Sequence, residues 1–295
     1  PLCSSGWPPC IFPAVFSATL PMIIWIITRL LPKLEPEDVG AVQARKVISN
    51  RNDNFLTRCQ DNEMALDIHF QVGRDAVKGA VELRGNGELI KRAALEDIGG
   101  WNNYTITDDL DMSTRMQIKG WDIRFCPEVC VYEEGVLKYF PLIRQRRRWI
   151  EGSIRRYLEN FWAVLFSKDM SLRVSLDMTA YILEFILPFW FVSEIGFQIF
   201  RYIKYDENQI LSSLIVSLFL FVFFFTGLMY SLRKYNKLKL GENLIQSFQT
   251  CSYLLILWFP IVVFIVFKII FKEKTMDWGK TAHGQAKAQE PALAK

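Results

Sequence analysis

An α/β domain joined to an α-helical membrane domain is the fold class that the sequence predicts. Three observations predict it: strand-like and helix-like stretches alternate between residues 39 and 140, the composition changes sharply near Ser171, and long apolar runs follow. The chain has 295 residues, 51% of them hydrophobic and 23 of them phenylalanine, which is too apolar for an average soluble protein. A formal charge of +4 is small for this length, so nucleic-acid binding would have to rest on a local patch. Six cysteines, at 3, 10, 59, 126, 130 and 251, show neither a CxxC pair nor a nearby histidine cluster. They are expected to be reduced packing residues, consistent with a cytosolic catalytic face.

The first thirty residues contain an apolar stretch, 10–31, that approaches the length of a membrane span, but two internal prolines and a Ser-Ala-Thr break it. A buried strand over 14–16 and a core-facing helix from Ile23 fit it as well. Residues 39–48, VGAVQARKVI, form a predicted strand, and 54–78 a long helix. AVELRGNGELI is expected to be a strand entering a turn at Gly85, Asn86 and Gly87. A short helix over 92–98 stops at Gly99 and Gly100. The next helix starts near Thr107 and ends at Gly120, and WDIRF returns as a strand.

Asp108, Asp109 and Asp111 crowd the first turn after Thr107. Threonine is a favoured N-cap and carboxylates complement the helix dipole, which is a sufficient structural reason for them. A functional reason competes with it: a carboxylate at a loop-to-helix junction is rigidly placed to act as a general base. The stretch LIRQRRRWIEG, 142–152, is open to two readings of the same kind. If Pro141 begins a helix, Gln145, Arg148 and Trp149 share one face, where an amide, a guanidinium and an indole can engage a hydroxyl, a phosphate and a sugar ring. Arg144, Arg146 and Arg147 project elsewhere and are expected to anchor the helix at anionic headgroups.

Beyond Ser171 the runs 209–232 and 248–267 have the length and apolarity of transmembrane helices, and Pro260 is tolerable inside the second. The run 178–200 carries Glu184 and Glu194 and so belongs inside a bundle or beside a polar channel. RKYNKLK, 233–239, is predicted to be cytoplasmic by its positive charge, which puts the 202–208 turn outside. Three spans then put the tail outside as well, against the lysines it carries.

In order and spacing, GAVQAR, GNG, KRAALEDIGGW, TDDLDMSTRMQIKGW and QRRRW resemble the processive family 2 glycosyltransferases, the cellulose, chitin, hyaluronan and poly-N-acetylglucosamine synthases. DWGKTAH, 277–283, is similar to the Trp-x-Lys-Thr-x-His tail of many bacterial members. The resemblance implies a partial GT-A catalytic domain, then an interfacial helix and a transmembrane bundle. The expected divisions are 1–38, a divergent start; 39–140, the acceptor-side part of the GT-A domain; 141–175, interfacial helices; 176–271, transmembrane helices; and 272–295, a polar tail.

It further implies that Asp109 is the catalytic base, that Arg148 contacts the diphosphate, and that Gln145 and Trp149 hold the acceptor. Gln43 is expected to line the donor pocket, and Gly85 and Asn86 the acceptor side. A family Asp-x-Asp would bind Mg2+ or Mn2+, but Ser17 and Thr19 occupy its register, and neutral hydroxyls are poor ligands for a hard cation. The implied enzyme is a multi-pass membrane protein, an inverting transferase from a UDP-sugar donor to a β-linked polysaccharide, with no nucleic-acid partner. Two alternatives stand beside it: a lipid glycosyltransferase sharing the (Gln/Arg)-x-x-Arg-Trp signature, and a truncated, inactive glycan-binding or channel subunit, which the two hydroxyls would favour.

Overall fold

The computed structural model describes residues 19–205 and 210–271. Its order is α1 (Thr19–Leu34), β1 (Val39–Ile48), α2 (Phe55–Ala76), β2 (Glu88–Ile90), α3 (Arg92–Asp97), α4 (Asp108–Ile118), β3 (Asp122–Glu133), α5 (Tyr139–Phe166), α6 (Leu172–Tyr181), α7 (Leu183–Tyr205), α8 (Ile210–Ser231) and α9 (Leu240–Phe271). The architecture is a small mixed sheet of the GT-A kind within a mostly helical chain. The expected strand at 14–16, Ser17, the 277–283 motif and the polar tail lie outside the described residues.

The sheet runs β2-β1-β3, with β1 antiparallel to β2 and parallel to β3. β1 is buried along nearly its whole length, as a central strand covered on both faces must be. One face packs on α1 through Leu30, Val39, Val42, Ala44, Cys126 and Val129. The other packs on α2, α3 and α4 through Ala41, Ile68, Ala94, Met112, Met116 and Phe125. β3 is much longer than the five residues expected, and its register jumps from Ala44↔Cys126 to Arg45↔Cys130. Pro127, which has no N–H to give the ladder, lies within the extra residues.

α2 begins at a capping box: the Thr57 amide donates to Asn54 Oδ1 at 3.0 Å and the Asn54 amide to Thr57 Oγ1 at 3.2 Å. α1 is longer than the helix expected from Ile23 and buries one side only, leaving Ile24, Trp25, Ile27 and Leu31 exposed. The strand expected before the Gly85 turn is absent as a paired strand; the backbone of residues 80–84 is held by side chains. The Ala80, Glu82, Leu83 and Arg84 amides donate to Asp177, Gln71, Ser113 and Gln43 at 2.7, 3.2, 2.8 and 2.7 Å. Period-2 alternation predicts an extended backbone; it does not say what will satisfy it.

Among the described residues three helical stretches are long and apolar enough to cross a membrane: Leu172–Tyr205, Ser217–Asn236 and Leu240–Phe271. α9 starts well before the apolar run expected at 248, because its first turns carry the buried polar residues Asn243, Gln246, Ser247 and Thr250. Gln246 and Thr250 dock on the α/β region: Asn62 Nδ2 of α2 donates to Gln246 Oε1 at 3.2 Å and to Thr250 Oγ1 at 3.0 Å. Between α8 and α9 a π-helical turn, Leu232–Asn236, ends at Lys237, whose φ is 55°. One core also crosses the expected domain boundary, joining Cys59, Leu142, Ile150 and Tyr157 to Met178, Phe185, Leu257 and Val262. The composition shift at Ser171 is therefore not a break in packing.

Cys59, Cys126 and Cys251 are free and buried, as expected. Cys130, where β3 resumes pairing after its irregularity, is disulfide-bonded, which corrects the expectation of a wholly reduced set.

Candidate functional site

The site forms where the start of α4 meets the turn of Gly85, Asn86 and Gly87. Gly85 and Gly87 have φ of 85° and 71°, so the turn uses the left-handed region open to glycine. A Cβ on Gly87 would also meet Val131 at 2.7 Å. Gln43 shapes the turn from below: its amide nitrogen donates to the Ala44 and Asn86 carbonyls at 2.7 and 2.9 Å, and its oxygen accepts from the Arg84 amide. Gln43 is fully buried, so its amide faces the turn's backbone and not open space.

Asp109 lies across from this turn, its Oδ2 3.2 Å from where a Gly85 Cβ would stand. Its Oδ1 accepts from the Leu110 amide at 2.9 Å. Burial raises its pKa above the ordinary carboxylate range, Asp108 adds to the shift, and Arg84 and Lys46 partly offset it. The result is a carboxylate of enhanced basicity at a rigid junction. Glu88, whose Oε1 accepts from the Gly85 amide at 2.6 Å, is also raised by burial and by Asp109.

The neighbouring carboxylates differ in kind. Asp108 is exposed, whereas Asp111 is buried and pairs with Arg115 Nε at 2.7 Å. Arg115 extends that pair to the Ile98 and Gly100 carbonyls at 2.5 and 2.9 Å, fixing the loop before α4. Thr107 occupies the N-cap position without making a side-chain capping bond. Its side chain instead packs on Gly152 of α5, where a Cβ would lie 2.5 Å from Thr107 Cγ2.

That contact aligns α5 with the site. Gln145, Arg148, Gly152 and Arg156 recur at helical spacing, and Arg156 Nη1 donates to the Leu110 carbonyl at 3.1 Å. Gln145 is buried, Trp149 half-buried, and Arg148 has a buried Nε with no hydrogen-bond partner among the described residues. Asn86 Oδ1 is buried and unpartnered in the same sense.

Arg146 corrects the expectation of a headgroup anchor. It is 1% exposed, pairs with Glu63 of α2 at 2.8 Å, and lies 4.2 Å from the Trp149 ring centroid. Burial raises the Glu63 pKa, with Arg146 opposing that shift. Arg147 is half-buried over Phe264 of α9 at 4.2 Å, and Arg144 alone of the three is exposed. A signal for Arg146 was present: Leu142, Arg146, Ile150, Ser153 and Tyr157 follow one helical stripe, all of it buried. Glycine in mid-helix at 152 was a similar signal of close approach.

Glu82 is a further residue that sequence reasoning did not single out. Burial alone would raise its pKa, but Arg156, Arg84 and Arg74 together hold it down to about 2. It accepts from Arg156 Nη2 at 2.7 Å and from the Tyr157 hydroxyl at 3.4 Å.

Among the described residues no three of His, Cys, Asp and Glu gather to hold a metal ion. Thr19 is the first residue of α1, and Ser17 lies outside the described residues.

The family model described as glycosyl transferase family group 2 matches residues 27–270. The chain belongs to this family. It is similar to the beta-monoglucosyldiacylglycerol synthase of Trichormus variabilis, 35% identical over 273 residues, which are 92% of this chain and 58% of that protein. The synthase of the same name from Synechocystis is 33% identical over 88% of this chain and 54% of its own length. The probable glucomannan 4-beta-mannosyltransferase 1 of Arabidopsis thaliana is 28% identical over 66% of this chain and 34% of its own. The chain thus spans little more than half the length of the synthases it matches.

Proposed function

We propose that the protein is a membrane-bound inverting glycosyltransferase that moves a sugar from a UDP-sugar to the hydroxyl of a membrane lipid, a diacylglycerol. The observation that carries the chemistry is Asp109, a carboxylate made more basic by burial and set beside the Gly85 turn at a helix start. In the reaction Asp109 takes the acceptor proton, the acceptor oxygen bonds to the anomeric carbon, and the bond to the diphosphate breaks with its electron pair leaving on UDP. Arg148 would face the diphosphate, its fork suited to phosphate oxygens. Gln145, Trp149 and Asn86 would hold the acceptor, and Gln43 would serve by shaping the turn.

A lipid acceptor is favoured over a polymer for two reasons. The more similar relatives are named as glucosyldiacylglycerol synthases, with glucomannan transferases more distant. The helix carrying Gln145 and Trp149 also continues into an exposed apolar end, Leu158, Trp162 and Phe166, that belongs at a bilayer boundary.

The test supplies UDP-glucose labelled in the sugar to the full chain in mixed micelles with diacylglycerol, and separates organic-soluble product from insoluble polymer. Label in the organic phase is expected, lost in Asp109→Asn and largely kept in Asp111→Asn. Label found in polymer alone would return the reading to a polysaccharide synthase. Equal losses in the two variants would remove Asp109 from its role.

A further inference from the structure

Two buried side chains tie the start of α4 to the segment that enters the Gly85 turn. Ser113, 1% exposed, donates through its hydroxyl to the Asp109 carbonyl at 2.9 Å and accepts from the Leu83 amide at 2.8 Å. One oxygen thus joins the backbone of Asp109 to the backbone two residues before Gly85. Arg156, also 1% exposed, spans the same gap from α5. One of its nitrogens reaches the Leu110 carbonyl at 3.1 Å and another reaches Glu82 at 2.7 Å. Arg84 Nη1 lies 3.1 Å from the other Glu82 oxygen and holds that carboxylate from the turn side. Both side chains make bonds whose geometry sets the distance between two segments.

We propose that Ser113 and Arg156 are positioning residues that fix the Asp109 carboxylate against the Gly85, Asn86 and Gly87 turn. This rests on the reading of Asp109 as the base. Neither side chain touches substrate. Their effect is on the alignment of a proton acceptor with an acceptor hydroxyl, to which a transfer step is steeply sensitive.

The experiment uses the full chain in lipid–detergent micelles and compares Ser113→Ala, Ser113→Thr, Arg156→Lys and Asp109→Asn. Amide hydrogen exchange is followed at Leu83 and over residues 107–113, alongside kcat and KM for UDP-glucose with diacylglycerol. Ser113→Ala should speed exchange in those two segments while leaving β1 and β3 as they were. It should lower kcat by about tenfold or more with little change in the donor KM, and Ser113→Thr, which keeps the hydroxyl, should restore most of the loss. Arg156→Lys should act in the same direction on residues 107–113; if it fails to fold, Ser113→Ala carries the test. Unchanged exchange in both segments, loosening spread evenly over the sheet, or a loss confined to KM would each overturn the proposal. Normal turnover in Asp109→Asn would refute the base reading instead, and the exchange data would still judge the tie between the two segments.

Discussion

Replacing Gly152 with alanine sets two effects of opposite sign against each other. Alanine in a helix interior is more favourable than glycine by about 1 kcal/mol. The new Cβ, however, would stand 2.5 Å from Thr107 Cγ2 and 2.7 Å from Thr107 Oγ1. Carbon atoms in contact sit about 3.5–4.0 Å apart, so α4 and α5 must separate by about 1 Å. Overpacking of that kind costs about 1–3 kcal/mol, leaving a net loss of up to about 2 kcal/mol. Thr107 immediately precedes the α4 turn that bears Asp109, so the displacement falls on the candidate base, where about 1 Å is enough for a hundredfold loss in rate. Heat unfolding of the full chain in detergent, followed by tryptophan fluorescence, should show a lowered midpoint for Gly152→Ala. The double variant with Thr107→Ala, which lacks both obstructing atoms, should recover much of it. A Gly152→Ala protein as stable as the parent, or more so, would mean that propensity wins and that the close approach is not a constraint.

Arg146→Met should cost about 3 kcal/mol in denaturant unfolding, because it strands the half-buried Glu63 carboxylate, and Glu63→Gln in the same chain should return most of that. Arg147→Met, which removes only a half-buried stack on Phe264, should cost about 1 kcal/mol or less. The Glu82 carboxyl is depressed from 4.5 to about 2, so its contribution is fully present above pH 4.5 and is lost as pH falls toward 2. Glu82→Gln should therefore be less stable than the parent by about 3 kcal/mol at pH 7, with the gap closing between pH 4.5 and about 2. A gap that stays constant across that window, measured by acid titration of unfolding, would remove the ion cluster as its cause.

Much of the fold was legible because its signals are local. The long helix expected over 54–78 is α2, the double glycine closes α3, and the apolar runs anticipate the three membrane-length helices. Site residues came from resemblance more than from periodicity, since a carboxylate after Thr107 suits a helix dipole equally well. What escaped was non-local. Arginine usually lies at the surface, and the partner that holds Arg146 inside, Glu63, is 83 residues away in sequence. Hydropathy credits apolar length and gives no sign of the polar opening of α9, where Gln246 and Thr250 are buried against Asn62 of α2.

The side-chain-held stretch at 80–84 limits how this protein can change. In a sheet, one main chain grips another, and the grip survives almost any exchange of side chains; such bonds are blind to sequence. Here the main chain entering the turn is gripped by Asp177, Gln71, Ser113 and Gln43, residues drawn from α6, α2, α4 and β1. Each bond is written in the sequence and is lost by one substitution, leaving a donor with nowhere to turn. Variation that a paired strand would absorb is closed to those four positions, so the stretch is a place where drift elsewhere in the chain is felt directly at the turn.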